Sequence, residues 1–198
     1  MGAENERRGG DDEAVMEYRV IVIGAPAVGK TSLINQLVHN YMTFEYDITI
    51  EDEFRKELRV DGQDCLLSIR DTCGQPTAGD RDAYMNEGEG FLCVYSLTNS
   101  DSLELLKCLG DKILQVKDED FFPMVVVGNK SDLEDSRQVD EIRGRDLAKL
   151  YRAPFFETTA LQRINVDEAF HDLVRTIRSH RTQGQQQPPR RKSGCFLS

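Results

Sequence analysis

Short apolar runs of strand length alternate with helical patterns along most of the chain. The apolar runs predict four buried strands, at Tyr18–Gly24, Gly90–Ser96, Met124–Gly128 and Phe155–Thr158. Residues Glu53–Val60 instead alternate apolar and charged side chains, which predicts a half-exposed strand. The turn signal Asp61-Gly62 follows, so Cys65–Arg70 is expected to return beside that strand as a hairpin.

Helical patterns lie between and after these strands. They cover Thr31–His39, Arg81–Glu87, Ser100–Gln115, Val139–Tyr151 and Asn165–Arg181. Strands repeatedly separated by helices predict an α/β fold of three layers. Its six-stranded, mostly parallel sheet would be covered on both faces by about five helices, with one antiparallel edge strand from the hairpin. Ligands of such sheets bind at the carboxyl ends of the strands.

Polar sequence flanks this region on both sides. Residues 1–17 are rich in Glu, Asp, Arg and Gly and carry little to bury, so they predict a disordered extension. Residues 182–198 begin with Gln and Pro and end in a basic segment, which is typical of a flexible tail. The sequence therefore predicts one folded domain at residues 18–181.

The amino-acid composition of the chain indicates which binding partners and which cellular compartment to expect. The 198 residues include 35 acidic and 25 basic side chains, and the resulting net charge of −10 argues against a nucleic-acid-binding surface. The five cysteines are odd in number and lack C-x-x-C spacing, which favours a reducing compartment over a disulfide framework. No window approaches the roughly 18–20 apolar residues of a transmembrane helix. We expect an intracellular, soluble domain.

The clearest chemical signal is the segment GAPAVGKT at residues 24–31, between the first strand and the first helix. It fits the phosphate-binding pattern G-x-x-x-x-G-K-[ST], in which backbone N–H groups curl around phosphate oxygens at the start of a helix. Lys30 would reach the β- and γ-phosphates, and the Thr31 hydroxyl would bind Mg²⁺. The alternative is an ordinary glycine-containing loop, which the flanking strand and helix argue against. The predicted contacts are Gly24, Ala25, Pro26, Ala27, Val28, Gly29, Lys30, Thr31 and Ser32.

A second motif, DTCGQ at residues 71–75, follows the third strand. Asp71 is placed to hold Mg²⁺ through a water molecule. Gly74 would let a backbone N–H approach the γ-phosphate, and Gln75 could orient an attacking water. Taken alone, these residues could equally form a simple turn.

Two further motifs point to a guanine base. In NKSD at residues 129–132, Asp132 can accept hydrogen bonds from the ring N1–H and the exocyclic amino group of guanine, a pair of donors that adenine lacks. The Lys130 stem can cover a ring face, and Asn129 can tie this loop to the phosphate-binding loop. An Asx-type helix cap is the alternative. The weaker motif ETTA, at residues 157–160, offers a backbone N–H to guanine O6. Its predicted contacts are Thr159 and Ala160.

Together with these motifs, the segment from about Tyr18 to Arg181 resembles the Ras family of small GTPases nearly end to end. YDITIED at residues 46–52 is similar to the family's switch I, and GEGFLCVY at residues 88–95 to its fourth strand. The resemblance implies a P-loop G domain that binds GDP or GTP with Mg²⁺ and hydrolyses GTP slowly. It implies that Gln75 and Lys30 are catalytic and that Thr49 binds both Mg²⁺ and the γ-phosphate. The implied effector loop comprises Tyr46, Asp47, Ile48, Thr49, Ile50, Glu51, Asp52, Glu53 and Phe54.

The resemblance also implies three kinds of protein partner: effectors with Ras-binding domains, a guanine-nucleotide exchange factor and a GTPase-activating protein. Pro26 and Ala27 depart from two glycines of the family. A proline ring hinders an activating protein's arginine finger and removes an N–H, which puts stimulated hydrolysis in doubt. Met42 replaces a phenylalanine that packs against guanine, which predicts faster nucleotide release. Switch II is one residue shorter than in Ras, and Leu161 replaces a lysine beside the base.

The last four residues, CFLS at 195–198, fit the C-a-a-X prenylation pattern, and the terminal serine favours a farnesyl group on Cys195. One lipid binds membranes only marginally and needs a second signal. Arg190, Arg191 and Lys192 would supply it, at about 1 kcal/mol each near anionic lipid. These features predict a lipid-anchored protein on the cytoplasmic face of a membrane, with the plasma membrane as the expected one.

Two alternative functions remain at this point. The first is a binding module that holds GTP and an effector but scarcely hydrolyses GTP; Pro26 favours it and Gln75 argues against it. The second is a P-loop nucleotide kinase, which would need an acceptor site and an arginine-rich lid that the sequence does not contain. The sequence leaves the identity of the effectors and the resting nucleotide open.

Overall fold

The computed structural model describes residues 15–40, 52–72 and 78–186. The strands are β1 (Met16–Ile23), β2 (Asp52–Val60), β3 (Gln63–Asp71), β4 (Gly90–Ser96), β5 (Met124–Asn129) and β6 (Phe155–Thr158). The α-helices are α1 (Lys30–His39), α2 (Ala78–Glu87), α3 (Ser100–Lys117), α4 (Glu141–Leu150) and α5 (Val166–Gln186). A 3₁₀ turn at Glu134–Ser136 lies between β5 and α4.

The strands form one six-stranded sheet in the order β2-β3-β1-β4-β5-β6. Only β2 runs antiparallel, along β3, and the other neighbours pair in parallel. The predicted α/β fold with one antiparallel edge strand is therefore confirmed. Because β1 lies inside the sheet between β3 and β4, the loop after β1 emerges at its centre.

Helices cover both faces of the sheet, as the alternation of strands and helices predicted. The side chains of β1 show why, since Val20 and Val22 enter one core while Ile21 and Ile23 enter the other. The first core lies under α1 and α5, and the second lies under α2, α3 and α4. None of the described helices combines the length and the apolarity needed to cross a membrane.

Several predicted boundaries were wrong, including those at both ends of the folded region. Strand β1 begins at Met16, which pairs with Cys65, so part of the expected N-terminal extension belongs to the sheet. Helix α5 continues five residues beyond Arg181 to Gln186, so residues 182–186 are helical and not a flexible tail. Glutamine is a good helix former, and the first helix-breaking proline is Pro188.

Three other elements, α2, α4 and β5, also differ at their ends from the predicted boundaries. Helix α2 begins at Ala78, three residues before the predicted start, and α4 is confined to Glu141–Leu150. Val139 is fully buried in the loop before α4. Its apolar side chain therefore fits the helical pattern although the residue precedes the helix. Strand β5 includes Asn129, so the NKSD motif begins inside the sheet.

Candidate functional site

The loop that follows β1 can be formed only with glycine at its two ends. At Gly24, a Cβ atom would lie 2.0 Å from the carbonyl oxygen of Val94 on β4. At Gly29, where φ is +98°, a Cβ atom would lie 2.3 Å from Nδ2 of Asn129. Both positions combine a backbone conformation that favours glycine with a close approach by another strand. The spacing of the motif therefore reflects steric limits that the fold itself imposes.

Pro26 and Ala27 form the exposed crest of this loop. Ala27 has a φ of +59°, the left-handed conformation that costs a residue with a side chain roughly 1–2 kcal/mol. The substitution of the family's glycine by alanine therefore has a backbone cost in addition to the lost N–H at Pro26.

Lys30, the first residue of α1, is directed into the loop that precedes it. Its side chain is buried, and Nζ donates to the carbonyl oxygens of Gly24 at 3.2 Å and Ala25 at 3.0 Å. Gly29, at the N-cap position, offers no side chain to the opening N–H groups of the helix. A buried ammonium group next to a helix N-terminus makes this concavity strongly favourable for an anion.

A hydroxyl and a carboxylate meet beside the same loop. The Thr31 hydroxyl donates to Oδ2 of Asp71 at 2.5 Å, and Asp71 is completely buried at the end of β3. Oxygen atoms of this kind are the ligands that Mg²⁺ prefers. The described part of the chain contains no cluster of three His, Cys, Asp or Glu side chains. Among the described residues, the Mg²⁺ prediction consequently depends on this hydroxyl–carboxylate pair, since Thr49 lies outside them.

Thr72 fixes the chain immediately beyond β3 and was not singled out from the sequence. Its buried hydroxyl donates to the carbonyl oxygen of Val22 at 2.8 Å, which joins the end of β3 to β1. The contact joins residues that are 50 positions apart, and the neighbouring Asp71 contacts Thr31 on α1.

Asn129 connects the base-side loops to the phosphate-binding loop, as the sequence suggested. Its buried side chain donates from Nδ2 to the carbonyl oxygen of Val28 at 2.9 Å and accepts from the Thr158 hydroxyl at 3.2 Å. The neighbouring Lys130, with a φ of +70°, donates from Nζ to the carbonyl oxygen of Ala27 at 2.8 Å. Two adjacent side chains thus join the end of β5 to the phosphate-binding loop.

The two predicted base-binding segments lie side by side. The backbone N–H of Ser131 donates to the carbonyl oxygen of Thr158 at 3.0 Å, and Asp132 lies half-buried next to it. Thr159 and Ala160 are both buried. Thr159 exchanges two backbone hydrogen bonds with Ile164, at 3.3 and 3.2 Å, which closes a short loop beyond β6.

Arg137 clamps these segments together, and no motif predicted it. Its guanidinium donates to both carboxylate oxygens of Glu157 at 2.8 and 2.9 Å, and to those of Glu134 at 2.9 and 3.2 Å. The hydrogen bonds to Glu157, followed by those to Glu134, hold the pKa of Arg137 above its ordinary value. Glu157 belongs to the ETTA motif and Glu134 follows NKSD, so the clamp sets the distance between the two motifs.

Arg163 makes a second bridge of this kind. It donates from Nε and Nη2 to the carboxylate of Asp167 on α5, at 2.9 Å each, and from Nη1 to Oδ1 of Asn40 beyond α1. Arg163 and Asn165 both have positive φ, at +55° and +56°. Since Asn40 and Arg163 are 123 positions apart, no local spacing could have indicated the contact.

The structure brings the described candidate residues to one edge of the sheet. The phosphate-binding loop, Asp71, the NKSD segment and the ETTA segment all lie at or just beyond the carboxyl ends of β1, β3, β5 and β6. Of the expected effector loop, Asp52, Glu53 and Phe54 lie on β2, where Phe54 packs edge-on against His39. The candidates outside the described residues are Tyr46, Asp47, Ile48, Thr49, Ile50, Glu51, Gly74, Gln75 and Cys195, together with Met42.

Comparison with models of protein families matches this chain to the Ras family over residues 19–179. The matched segment is about four-fifths of the chain and includes every motif at the sheet edge. It agrees with the sheet order and with the glycine-bounded loop after β1. The chain therefore belongs to the Ras family and is a small GTPase.

Proposed function

We propose that the protein is a GTP-dependent switch that binds GDP or GTP with Mg²⁺, hydrolyses GTP slowly and signals to effectors from a membrane. The observation that carries this proposal is the buried ammonium group of Lys30, which lies in a loop that excludes side chains at Gly24 and Gly29. The loop opens directly into α1, whose N-terminus favours negative charge. The β- and γ-phosphates of a nucleotide fit this combination of shape and charge.

The residues beside the loop fit a bound Mg²⁺ ion. Thr31 would provide its hydroxyl oxygen and Asp71 would act through water, with Thr49 completing the set in the GTP state. Mg²⁺, when bound, supplies positive charge that neutralises the phosphate oxygens. The short contact between Thr31 and Asp71 supports this assignment because it already places two hard oxygen atoms together.

Hydrolysis would depend on water orientation and charge stabilisation. Gln75 would orient the attacking water, while Lys30 and the loop N–H groups stabilise the charge that develops on the phosphate oxygens. The loop after β3, which contains Gly74, would change conformation when the γ-phosphate contact is lost. The protein then acts as a timer whose two states differ in the loops that effectors contact.

Base selection would rest on Asp132. The NKSD segment is fixed to β6 by the hydrogen bond from Ser131. It is fixed to the phosphate-binding loop by Asn129 and Lys130. We expect Asp132→Asn to change the preferred substrate from GTP to XTP, because the amide offers a donor where the carboxylate accepts. Competition binding with both nucleotides measures the change, and an unaltered preference for GTP would refute the assignment.

Calorimetric titration with GDP and GTP in the presence of Mg²⁺ tests the central proposal. Wild-type protein should bind both nucleotides saturably, and Lys30→Met should lose binding by about 100-fold, the value of a hydrogen bond from a charged group. Lys117→Met is a matched control, since Lys117 also donates to two backbone carbonyls, those of Asn86 and Gly88, far from the site. Wild-type protein that binds neither nucleotide would disprove the function.

A GTP-binding effector module with little or no hydrolysis is the second candidate function. The exposed position of Pro26 favours it, because the ring stands on the crest where an activating protein would insert an arginine. Single-turnover hydrolysis, with and without an activating protein, separates the two. A wild-type rate equal to that of Gln75→Leu favours the module, and a faster rate favours the switch.

The membrane part of the proposal rests on the tail sequence. A farnesyl group on Cys195, with about 3 kcal/mol from Arg190, Arg191 and Lys192, would give reversible anchoring on the cytoplasmic face of the plasma membrane. Effectors with Ras-binding domains, an exchange factor and an activating protein would act there. Cys195→Ser should move the protein to the soluble fraction, and unchanged membrane association would exclude the lipid.

A further inference from the structure

Asn40 marks the point at which the chain leaves α1. It has the left-handed conformation of a helix C-cap, with φ of +60° and ψ of +30°. Its side-chain oxygen accepts a hydrogen bond from Nη1 of Arg163, which lies between β6 and α5. The residues that follow Asn40 in sequence include the expected switch I. The contact therefore joins the loop beyond β6 to the residue from which that segment departs.

Arg163 is well suited to act as a fixed connection. Two of its nitrogens donate to Asp167 in the first turn of α5, so the guanidinium is oriented by a long helix before it contacts Asn40. Hydrogen bonds from Arg163, partly opposed by burial, hold the pKa of Asp167 below its ordinary value. The Asp167 carboxylate is thus ionised at neutral pH and holds Arg163 in place.

The loop that carries Arg163 is part of the proposed base site. Its two ends are closed by the backbone pair between Thr159 and Ile164. Asn165 donates from Nδ2 to the carbonyl oxygen of Glu157 at 2.8 Å, which fixes the loop to the ETTA motif. Movement of Thr159 and Ala160 away from a bound base would consequently displace Arg163 as well.

We propose that Arg163 is a positioning residue that slows nucleotide release by holding the loop of residues 159–165 against Asn40. This inference rests on the proposed binding of guanine nucleotides at the same sheet edge. Release requires the base-side loop to move away from the nucleotide, and the contact with Asn40 must then break. Hydrolysis of bound GTP does not require that movement, so the hydrolytic rate constant should not depend on Arg163.

The test measures release of methylanthraniloyl-GDP from the full chain after addition of excess GDP. Arg163→Ala should accelerate release by about two- to fivefold, the range expected for a partly exposed charged contact. Asn40→Ala should give a similar acceleration. The double variant should be no faster than Arg163→Ala, because both substitutions break the same contact. Arg163→Lys, which keeps the charge but not the planar fork, should lie between wild type and Arg163→Ala.

Arg175→Ala is the matched control. Arg175 lies on α5 and, like Arg163, donates to two side chains; these are the carboxylates of Asp61 and Asp172, and neither is near the base-side loops. We expect this variant to release nucleotide at the wild-type rate. Single-turnover hydrolysis should also be unchanged in Arg163→Ala, which distinguishes faster release caused by the lost contact from a general loss of structure.

Release at the wild-type rate from Arg163→Ala would overturn the inference while leaving nucleotide binding intact. An unaffected Asn40→Ala, additive effects in the double variant, or equal acceleration by Arg175→Ala would each overturn it too. Failure of the wild-type protein to bind the fluorescent GDP at all would instead refute the proposed function.

Discussion

At the phosphate end of the site, between β1 and α1, the backbone itself sets the shape, whereas at the base end side chains hold the loops beyond β5 and β6. The first end depends on Gly24 and Gly29, where a single added carbon atom would overlap another strand. The second depends on Asn129, Arg137 and Arg163, each of which joins two loops by hydrogen bonds. The phosphate end should therefore fail abruptly on substitution, and the base end should weaken gradually.

The largest expected effect is at Gly29. Gly29→Ala combines a positive φ with a Cβ atom 2.3 Å from Asn129 Nδ2, and should lower the free energy of unfolding by about 2–3 kcal/mol. Denaturant unfolding measures the loss. Gly62→Ala is the control, because Gly62 also has a positive φ, +81°, but no atom lies within 4 Å of its Cβ position. It should cost only about 1–2 kcal/mol. Equal losses would show that the overlap with Asn129 is unimportant.

The next effect tests the base end. Arg137→Met should lower the free energy of unfolding by about 1–2 kcal/mol, since it leaves the half-buried Glu157 carboxylate without its partner. The midpoint temperature of thermal unfolding and the nucleotide affinity should both decrease. Arg145→Met removes an exposed pair with Glu141 on α4 and should cost less than about 0.5 kcal/mol. A smaller loss for Arg137→Met than for Arg145→Met would contradict the clamp.

The contribution of Asp167 should depend on pH. Its folded pKa lies below the ordinary 3.8 because Arg163 donates to the carboxylate, although burial partly opposes this. A lowered folded pKa means that the stabilisation is present above that ordinary value and is lost as the pH falls through the folded pKa. The difference in unfolding free energy between wild type and Asp167→Asn should therefore be constant above about pH 5 and shrink as the pH falls below the ordinary value of 3.8. A constant difference would show that the contact does not depend on charge.

The smallest effect is at Ala27. Ala27→Gly removes the strain of a left-handed alanine and should raise the free energy of unfolding by less than about 1 kcal/mol, because glycine also gains freedom in the unfolded chain. Ala25→Gly, at a position of the same loop without positive φ, should instead lower stability by roughly 0.5–1 kcal/mol. Calorimetric melting of both variants measures the difference in sign. Lower stability in both variants would contradict the backbone strain inferred at Ala27.

The same contrast explains what could be predicted from the sequence. The loop from Gly24 to Thr31 was recognisable because its glycines, lysine and threonine stand at a fixed spacing within eight consecutive residues. The atoms that exclude a side chain at Gly24 and Gly29 belong to β4 and β5 and were not apparent from that spacing. The hairpin was equally clear, since the alternation in β2 and the turn at Asp61-Gly62 are local signals. Arg137 and Arg163 were missed because the partners through which they join separate segments, Glu157 and Asn40, lie 20 and 123 positions away.

Boundaries were predicted less well than elements. Periodicity identifies the buried face of a helix, but fraying ends carry little apolar sequence. Residues 182–186 have no apolar side chain to mark them as helical, so α5 appeared to end at Arg181. The start of β1 at Met16 was missed because its first two residues are exposed. They pair with β3 through the backbone but do not extend the buried apolar run.

The extension of α5 to Gln186 shortens the chain available for reaching a bilayer. If Cys195 carries the proposed lipid, eight residues lie between it and the end of the helix, which allows at most about 30 Å when fully extended. A tether that began at Arg181 would allow roughly 50 Å. The folded body would accordingly be restricted to a thin layer above the headgroups, where its negative charge limits the orientations it can adopt.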